Sequence, residues 1–132
     1  MSVFVDTSAL YAVLDRSDGE HRAAALAFST LRDASPVTHN YVLVESIALT
    51  QARLGLEAVR RLLDDLLPAI TVEWVGVELH GRAAAALLAS DRHSVSIVDR
   101  VSFAFMREHR LTCAFAFDDD FAREGFTPFT GA

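Results

Sequence analysis

The sequence predicts an α/β fold, a three-layer α/β/α sandwich around a central, mainly parallel sheet. Short apolar runs rich in β-branched and aromatic residues alternate with longer stretches whose apolar residues recur at helical spacing. Strands separated by helices need crossover connections, which are right-handed and leave helices on both faces of a parallel sheet. The third observation is bulk. A chain of 132 residues, 52% hydrophobic and without repeat, low-complexity stretch or linker, is expected to form one domain over residues 1–132.

Val3-Phe4-Val5 reads as a buried strand, and Asp6-Thr7-Ser8 offers capping side chains for a helix over 9–15. Beyond the break at Asp18-Gly19, Ala24, Ala27, Phe28 and Leu31 mark a second helix with Arg22 and Arg32 on its wet side. Ser35-Pro36 stops it. Val37-Thr38 is a short strand, and Asn40 is the expected cap of a helix that runs through Leu54 and ends at Gly55. Val59, Leu62, Leu63, Leu66 and Leu67 predict an amphipathic helix over 57–67, closed by Pro68. A strand over 70–75 precedes an alanine-rich helix over 77–89 and a polar loop over 90–94. Ile97, Val101, Ala104 and Phe105 then mark a helix over 96–110. An apolar strand over 112–117 and a short helix over 118–124 complete the pattern.

All 12 basic residues are arginines, because the chain contains no lysine. This removes the P-loop, Schiff-base catalysis and the lysine of phospho-acceptor receiver domains. A formal charge of −6 argues against a broad basic face for nucleic acid. Nucleic acid stays open as a substrate, because divalent cations in an acidic pocket invert its local field. The single cysteine, Cys113, has no disulfide or metal partner in the chain and is expected as a core thiol of a cytoplasmic protein. No run approaches roughly 18 apolar residues, and the opening residues show neither a basic region nor a cleavage pattern. Neither membrane insertion nor export is expected.

Four acids stand among apolar neighbours, and buried acids are as a rule paired or bound to metal. Asp6 follows the first strand at its carboxyl end, where open α/β sheets bind ligands. Glu45 interrupts Val42-Leu43-Val44-Glu45-Ser46-Ile47, and Asp99 interrupts Ile97-Val98-Asp99-Arg100-Val101, with Ser102 one turn further on. Asp118 follows the last apolar run and opens Asp118-Asp119-Asp120. Each has a plainer reading. Asp6 serves as a helix cap, Glu45 pairs with Arg53 or Arg100, Asp99 sits in a first helical turn, and the triplet opens a helix. As a converging group they need protons, arginines or hard cations to offset their repulsion. Oxygen ligands select Mg²⁺ or Mn²⁺, and His21, His39, His80, His93 and His109 form no zinc-binding pair. Such ions, roughly 3.5–4 Å apart, suit attack of water on a phosphodiester.

Taken in order and spacing, Val3 to Leu10, Asp18 with His21, Asn40 to Glu45, Ser96 to Ser102, and Ala116 to Phe121 with Gly125-Phe126 carry a family likeness. Over nearly its whole length the chain resembles PIN-domain ribonucleases, and among them the VapC-type toxins of toxin–antitoxin pairs. The resemblance implies a PIN-like sandwich and a Mg²⁺- or Mn²⁺-dependent endoribonuclease working through metal-activated water. It also implies a homodimer and a cognate antitoxin. Metal ligation and catalysis fall to Asp6, Glu45, Asp99 and Asp118, with Asp120 as a further ligand, while Thr7 and Ser102 position ligands or water. Arg16, Arg53, Arg92 and Arg100 are the candidates for RNA phosphates, since the absence of lysine leaves that task to arginine. The helices over 57–67 and 77–89 offer either partner surfaces or ordinary core faces. A housekeeping PIN nuclease and an idle PIN-fold binding module remain alternatives. A phosphatase of the haloacid dehalogenase type is disfavoured, because Ser8 stands where that family needs a second aspartate.

Overall fold

In the computed structural model, residues 2–131 are described; Met1 and Ala132, the ends of the expected domain, lie outside them. The elements are β1 (Val3–Val5), α1 (Thr7–Leu14), α2 (His21–Leu31), β2 (Pro36–His39), α3 (Asn40–Leu54), α4 (Leu56–Arg61) and β3 (Thr71–Glu73). They continue with α5 (Val77–Ala89), α6 (Ile97–Glu108), β4 (Cys113–Phe115), α7 (Asp120–Arg123) and β5 (Thr127–Pro128). The sheet has the order β3-β2-β1-β4-β5, and every pairing is parallel. The helices flank this sheet as the alternating sequence requires, giving the expected α/β architecture.

β1 is the central strand and is wholly buried. Phe4 is fully enclosed and packs against Phe105 of α6 and Phe121 of α7, with ring centroids 5.8 and 6.0 Å away. Alternation along the strand sends Val3 and Val5 to the opposite face. No helix among the described residues is long and apolar enough to cross a membrane. Cys113 is half-buried on β4, where burial pushes its thiol pKa up.

Several elements differ from expectation for physical reasons. α1 starts at Thr7, because Asp6 is its cap. The cap of α3 is His39 and not Asn40: the ring Nδ1 accepts from the N–H of Tyr41 (3.2 Å) and of Val42 (3.3 Å). Asn40 is thereby free to receive the N–H of Val75 on its Oδ1 at 2.6 Å. That bond draws Val75 away from the ladder, so the strand expected over 70–75 is limited to Thr71–Glu73. The helix expected over 57–67 ends as α4 at Arg61, widens into a π turn over Leu62–Leu66 and tightens into a 3₁₀ turn over Leu67–Ala69. Pro68 lacks the N–H that would continue the ladder. At the end of the chain, α7 is shorter than expected, and β5 carried no visible sequence signal. It holds only two residues, one a proline at the sheet edge, secured by Thr127 N–H to Thr112 O (2.8 Å) and Phe129 N–H to Ala114 O (2.9 Å).

Candidate active site

From β1 the chain winds toward β2 and β3 on one side, whereas β4 and β5 pair on the other. The winding therefore reverses between β1 and β4, and the crevice at the carboxyl ends of those strands is where such sheets bind ligands. Asp6 and Asp118 emerge there, each just past its strand. A cleft of about 300 Å³ opens at this point, lined by Asp6, Thr7, Ser8, Glu45, Leu49, Ser96, Asp99 and Asp118. The four acids singled out in the sequence thus meet in one place, delivered by the ends of β1 and β4 and by α3 and α6.

Asp6 is only 3% exposed. Its Oδ2 accepts from Ser8 Oγ at 2.7 Å and Ser8 N–H at 3.2 Å. Burial pushes its pKa up to about 7; the Ser8 hydrogen bonds oppose that rise, and the charges of Asp118 and Asp99 add to it. Asp99 closes a capping box: Ser96 Oγ accepts from Asp99 N–H at 3.2 Å, and Asp99 Oδ2 accepts from Ser96 N–H at 3.1 Å. Burial raises its pKa as well, against these hydrogen bonds and with help from Asp120. Asp118 accepts the N–H of Asp120 on Oδ1 at 3.1 Å, and burial followed by the nearby Asp99 raises its pKa. Three aspartates therefore have one oxygen anchored by backbone or serine donors.

The plainer readings of Asp6 as a helix cap and of Asp99 as a first-turn residue are correct, yet each uses a single carboxylate oxygen in that role. The plainer reading of Glu45 is not. Among the described residues Glu45 makes no ion pair, and neither do Asp6, Asp99 or Asp118. The proposed partners are engaged elsewhere: Arg53 lies over the Tyr11 ring at 5.5 Å, and Arg100 donates to Ser90 Oγ at 2.6 Å. Asp120 belongs to a different environment. It is paired with Arg92 at 2.7 Å and more loosely with Arg123 at 3.6 Å, and it does not line the cleft. Arg16 is exposed. Among the described residues, no three His, Cys, Asp or Glu side chains stand close enough to hold one ion without moving.

Thr7 is a buried part of the cleft lining and accepts a hydrogen bond from Ser46 Oγ at 3.3 Å. Ser102 is fully buried and does not reach the cleft. Its Oγ meets His39 Nε2 at 2.9 Å. Because His39 Nδ1 accepts two N–H groups, Nε2 must carry the proton and donate to Ser102. Burial pulls the His39 pKa down to about 4, which keeps the ring neutral. Three participants escaped the sequence reading: Ser8, Ser96 and His39. Ser96-x-x-Asp99 is a legible capping-box spacing, whereas nothing local distinguishes His39 as a cap.

Known proteins resemble this chain in sequence and fold. A family model described as the PIN domain matches residues 3–126. The 23S rRNA-specific endonuclease VapC20 of Mycobacterium tuberculosis, from strains CDC 1551 / Oshkosh and ATCC 25618 / H37Rv, is 34% identical over 125 residues, covering 94% of this chain and 95% of the relative. The crystal structure of M. tuberculosis VapC20, titled as a sarcin–ricin loop cleaving toxin, matches with a TM-score of 0.83 at 32% sequence identity. That match covers 95% of this chain and 96% of the other. With the family model spanning almost all of the sequence and the relatives spanning both chains, the protein belongs to the PIN-domain family.

Proposed function

We propose that the chain, as one PIN domain over residues 1–132, is a divalent-metal-dependent endoribonuclease and the cytoplasmic toxin of a toxin–antitoxin module. The observation that carries this reading is a cleft at the sheet's switch point with four carboxylates and, among the described residues, no cationic side chain paired to them. PIN-domain nucleases in general use divalent metal ions. The donor set fits one: all the available ligands are oxygens, and burial, with mutual repulsion adding to it, raises the pKa of Asp6 and Asp118. Hard oxygen donors favour Mg²⁺ or Mn²⁺.

Asp6, Glu45, Asp99 and Asp118 would hold the ion through the oxygens that the capping and turn contacts leave available. When bound, it supplies a more acidic water and positive charge against the phosphodiester, giving 5′-phosphate and 3′-hydroxyl ends. Asp120, restrained by Arg92 and Arg123, acts from behind Asp99 and Asp118. Thr7 steadies the turn after Asp6, and Ser102 steadies α6 through His39. Of the arginines, Arg16 and Arg53 have exposed surfaces available for RNA phosphates, while Arg92 does so only by leaving Asp120 and Arg100 only by leaving Ser90. A cognate antitoxin and a second copy of the chain are its protein partners. The similarity to VapC20 makes the sarcin–ricin loop of 23S rRNA the first substrate to offer.

The test is incubation of the protein with ribosomal RNA and a sarcin–ricin loop hairpin, with Mn²⁺ or with chelator, beside Asp99→Asn. Cleavage that requires Mn²⁺ and disappears in the variant is the expected result. Cleavage that survives in chelator or in Asp99→Asn would overturn the metal assignment. Metal binding without cleavage of any RNA would favour the idle binding module.

A further inference from the structure

We infer that Ser8 is a positioning residue that holds Asp6 and the turn carrying Asp118 in one fixed relation. The inference rests on the metal-site reading above and extends it to a residue with no role assigned so far. In the parallel ladder, Asp6 N–H donates to Phe115 O at 3.0 Å, and the next rung would run from Phe117 N–H to Asp6 O. That rung is missing. The Asp6 carbonyl has been taken by α1, accepting from Ala9 N–H at 3.2 Å and Leu10 N–H at 3.3 Å. Ser8 Oγ substitutes for it and receives the Phe117 N–H at 3.0 Å.

The same hydroxyl donates its single proton to Asp6 Oδ2 at 2.7 Å. Its one donor and one acceptor link are therefore both in use, and they point to the two residues that matter. Asp6 is the acid at the end of β1, and Phe117 immediately precedes the acid that follows β4. With the Ser8 N–H also on Oδ2 at 3.2 Å, this oxygen is fully engaged and Oδ1 is the one turned over to a ligand. Removing the hydroxyl frees the Asp6 carboxylate to rotate and leaves the Phe117 N–H without its acceptor. Losses of this kind behind a metal ligand weaken metal affinity by about 10- to 100-fold.

The experiment compares wild type, Ser8→Ala and Ser8→Thr in two titrations with Mn²⁺ alone: thermal stabilisation of the protein, and cleavage of RNA. Ser8→Ala is expected to move both midpoints up by about 10- to 100-fold, with the rate at saturating Mn²⁺ within a few-fold of wild type. Ser8→Thr, which keeps the hydroxyl, is expected to stay near wild type. An unchanged midpoint in Ser8→Ala, or a lost rate at saturation with the midpoint unmoved, would overturn the inference. Should Ser8→Ala fail to fold, Ser8→Thr against Ser8→Val gives the same comparison between side chains of one shape that differ in the hydroxyl. A wild-type protein that Mn²⁺ does not stabilise removes the metal reading itself, and with it Ser8; a wild type that responds beside an indifferent Ser8→Ala removes Ser8 alone.

Discussion

Two concave regions of this molecule treat the same side-chain chemistry in opposite ways. The groove of about 490 Å³ between α5 and α6 is lined by Arg82, Arg100, Arg107, Glu108 and Glu124 together with alanines and Phe103. Its acids are neutralised within the protein, Glu108 by Arg82 at 2.9 Å and Glu124 by Arg107 at 2.7 Å. The cleft beyond β1 and β4 gathers four acids and, among the described residues, pairs none of them with a cation. A chain with 12 arginines has ample means to neutralise both. Repulsion left standing in one place, and removed in the other, is the contrast on which the proposed cation site in the cleft rests. Asp120 marks the boundary: it neighbours the cleft acids closely enough to raise the pKa of Asp99, yet it carries its own arginines.

The contrast is broken most directly by replacing an acid on each side of that boundary. Asp118→Asn is expected to lower RNA cleavage at saturating Mn²⁺ by about a thousandfold, since metal sites supply several kcal/mol of transition-state stabilisation. Asp120→Asn is expected to cost less, about 10- to 100-fold, because an outer contact carries a smaller share. Equal losses in initial rate would erase the distinction.

Next in size are two opposed pH effects in the metal-free protein. Asp6 holds its proton more tightly when folded, with a pKa of about 7 against an ordinary value of 3.8. Its contribution therefore makes stability fall as pH rises through that interval, by about 4 kcal/mol in all. His39 works in the other sense, with a folded pKa of about 4 against 6.5. Its contribution is present above pH 6.5 and is lost as pH falls, by about 3 kcal/mol. Urea unfolding between pH 4 and 7.5 is expected to show the two largely offsetting each other in the wild type. Asp6→Asn removes one slope and exposes the acid instability of His39; a variant still losing stability toward neutral pH would assign that slope to another group.

Mn²⁺ at about a hundred times its dissociation constant is expected to raise stability by about 2.7 kcal/mol. The rise in melting temperature should be greater at pH 8 than at pH 5, where protons compete for the carboxylates; a larger rise at pH 5 would contradict the site. The smallest effect belongs to the groove. Arg82→Ala removes an ion pair whose side chains are 58% and 52% exposed, and chemical denaturation is expected to register less than about 1 kcal/mol.

The acids were legible in the sequence because all four interrupt or end apolar runs, and an acid in such company needs a reason. Asp120 was not distinguishable by the same criterion. It shares its triplet with Asp118, and the approach of Arg92 from the loop after α5, together with Arg123, separates their environments. His39 escaped for a related reason: a histidine beside an asparagine is the weaker cap by propensity, and burial against Phe4 and Phe105 is what keeps it neutral and able to accept. Ser8 was visible as a capping type, but its second bond spans more than a hundred residues of chain to Phe117.

What the sequence determined by itself was the alternation of strands and helices, hence a parallel sheet, and the placement of Asp6 and Asp118 at strand ends. These follow from local periodicity and from the handedness of crossovers, which any stretch of chain expresses without reference to distant partners. The tertiary structure alone decided the strand order, with its reversal between β1 and β4, the addition of β5, and which acids keep their charge uncompensated. Those outcomes depend on which side chains arrive together from separate elements, and the energy of an acid is set by that company and by its burial, not by its neighbours in sequence.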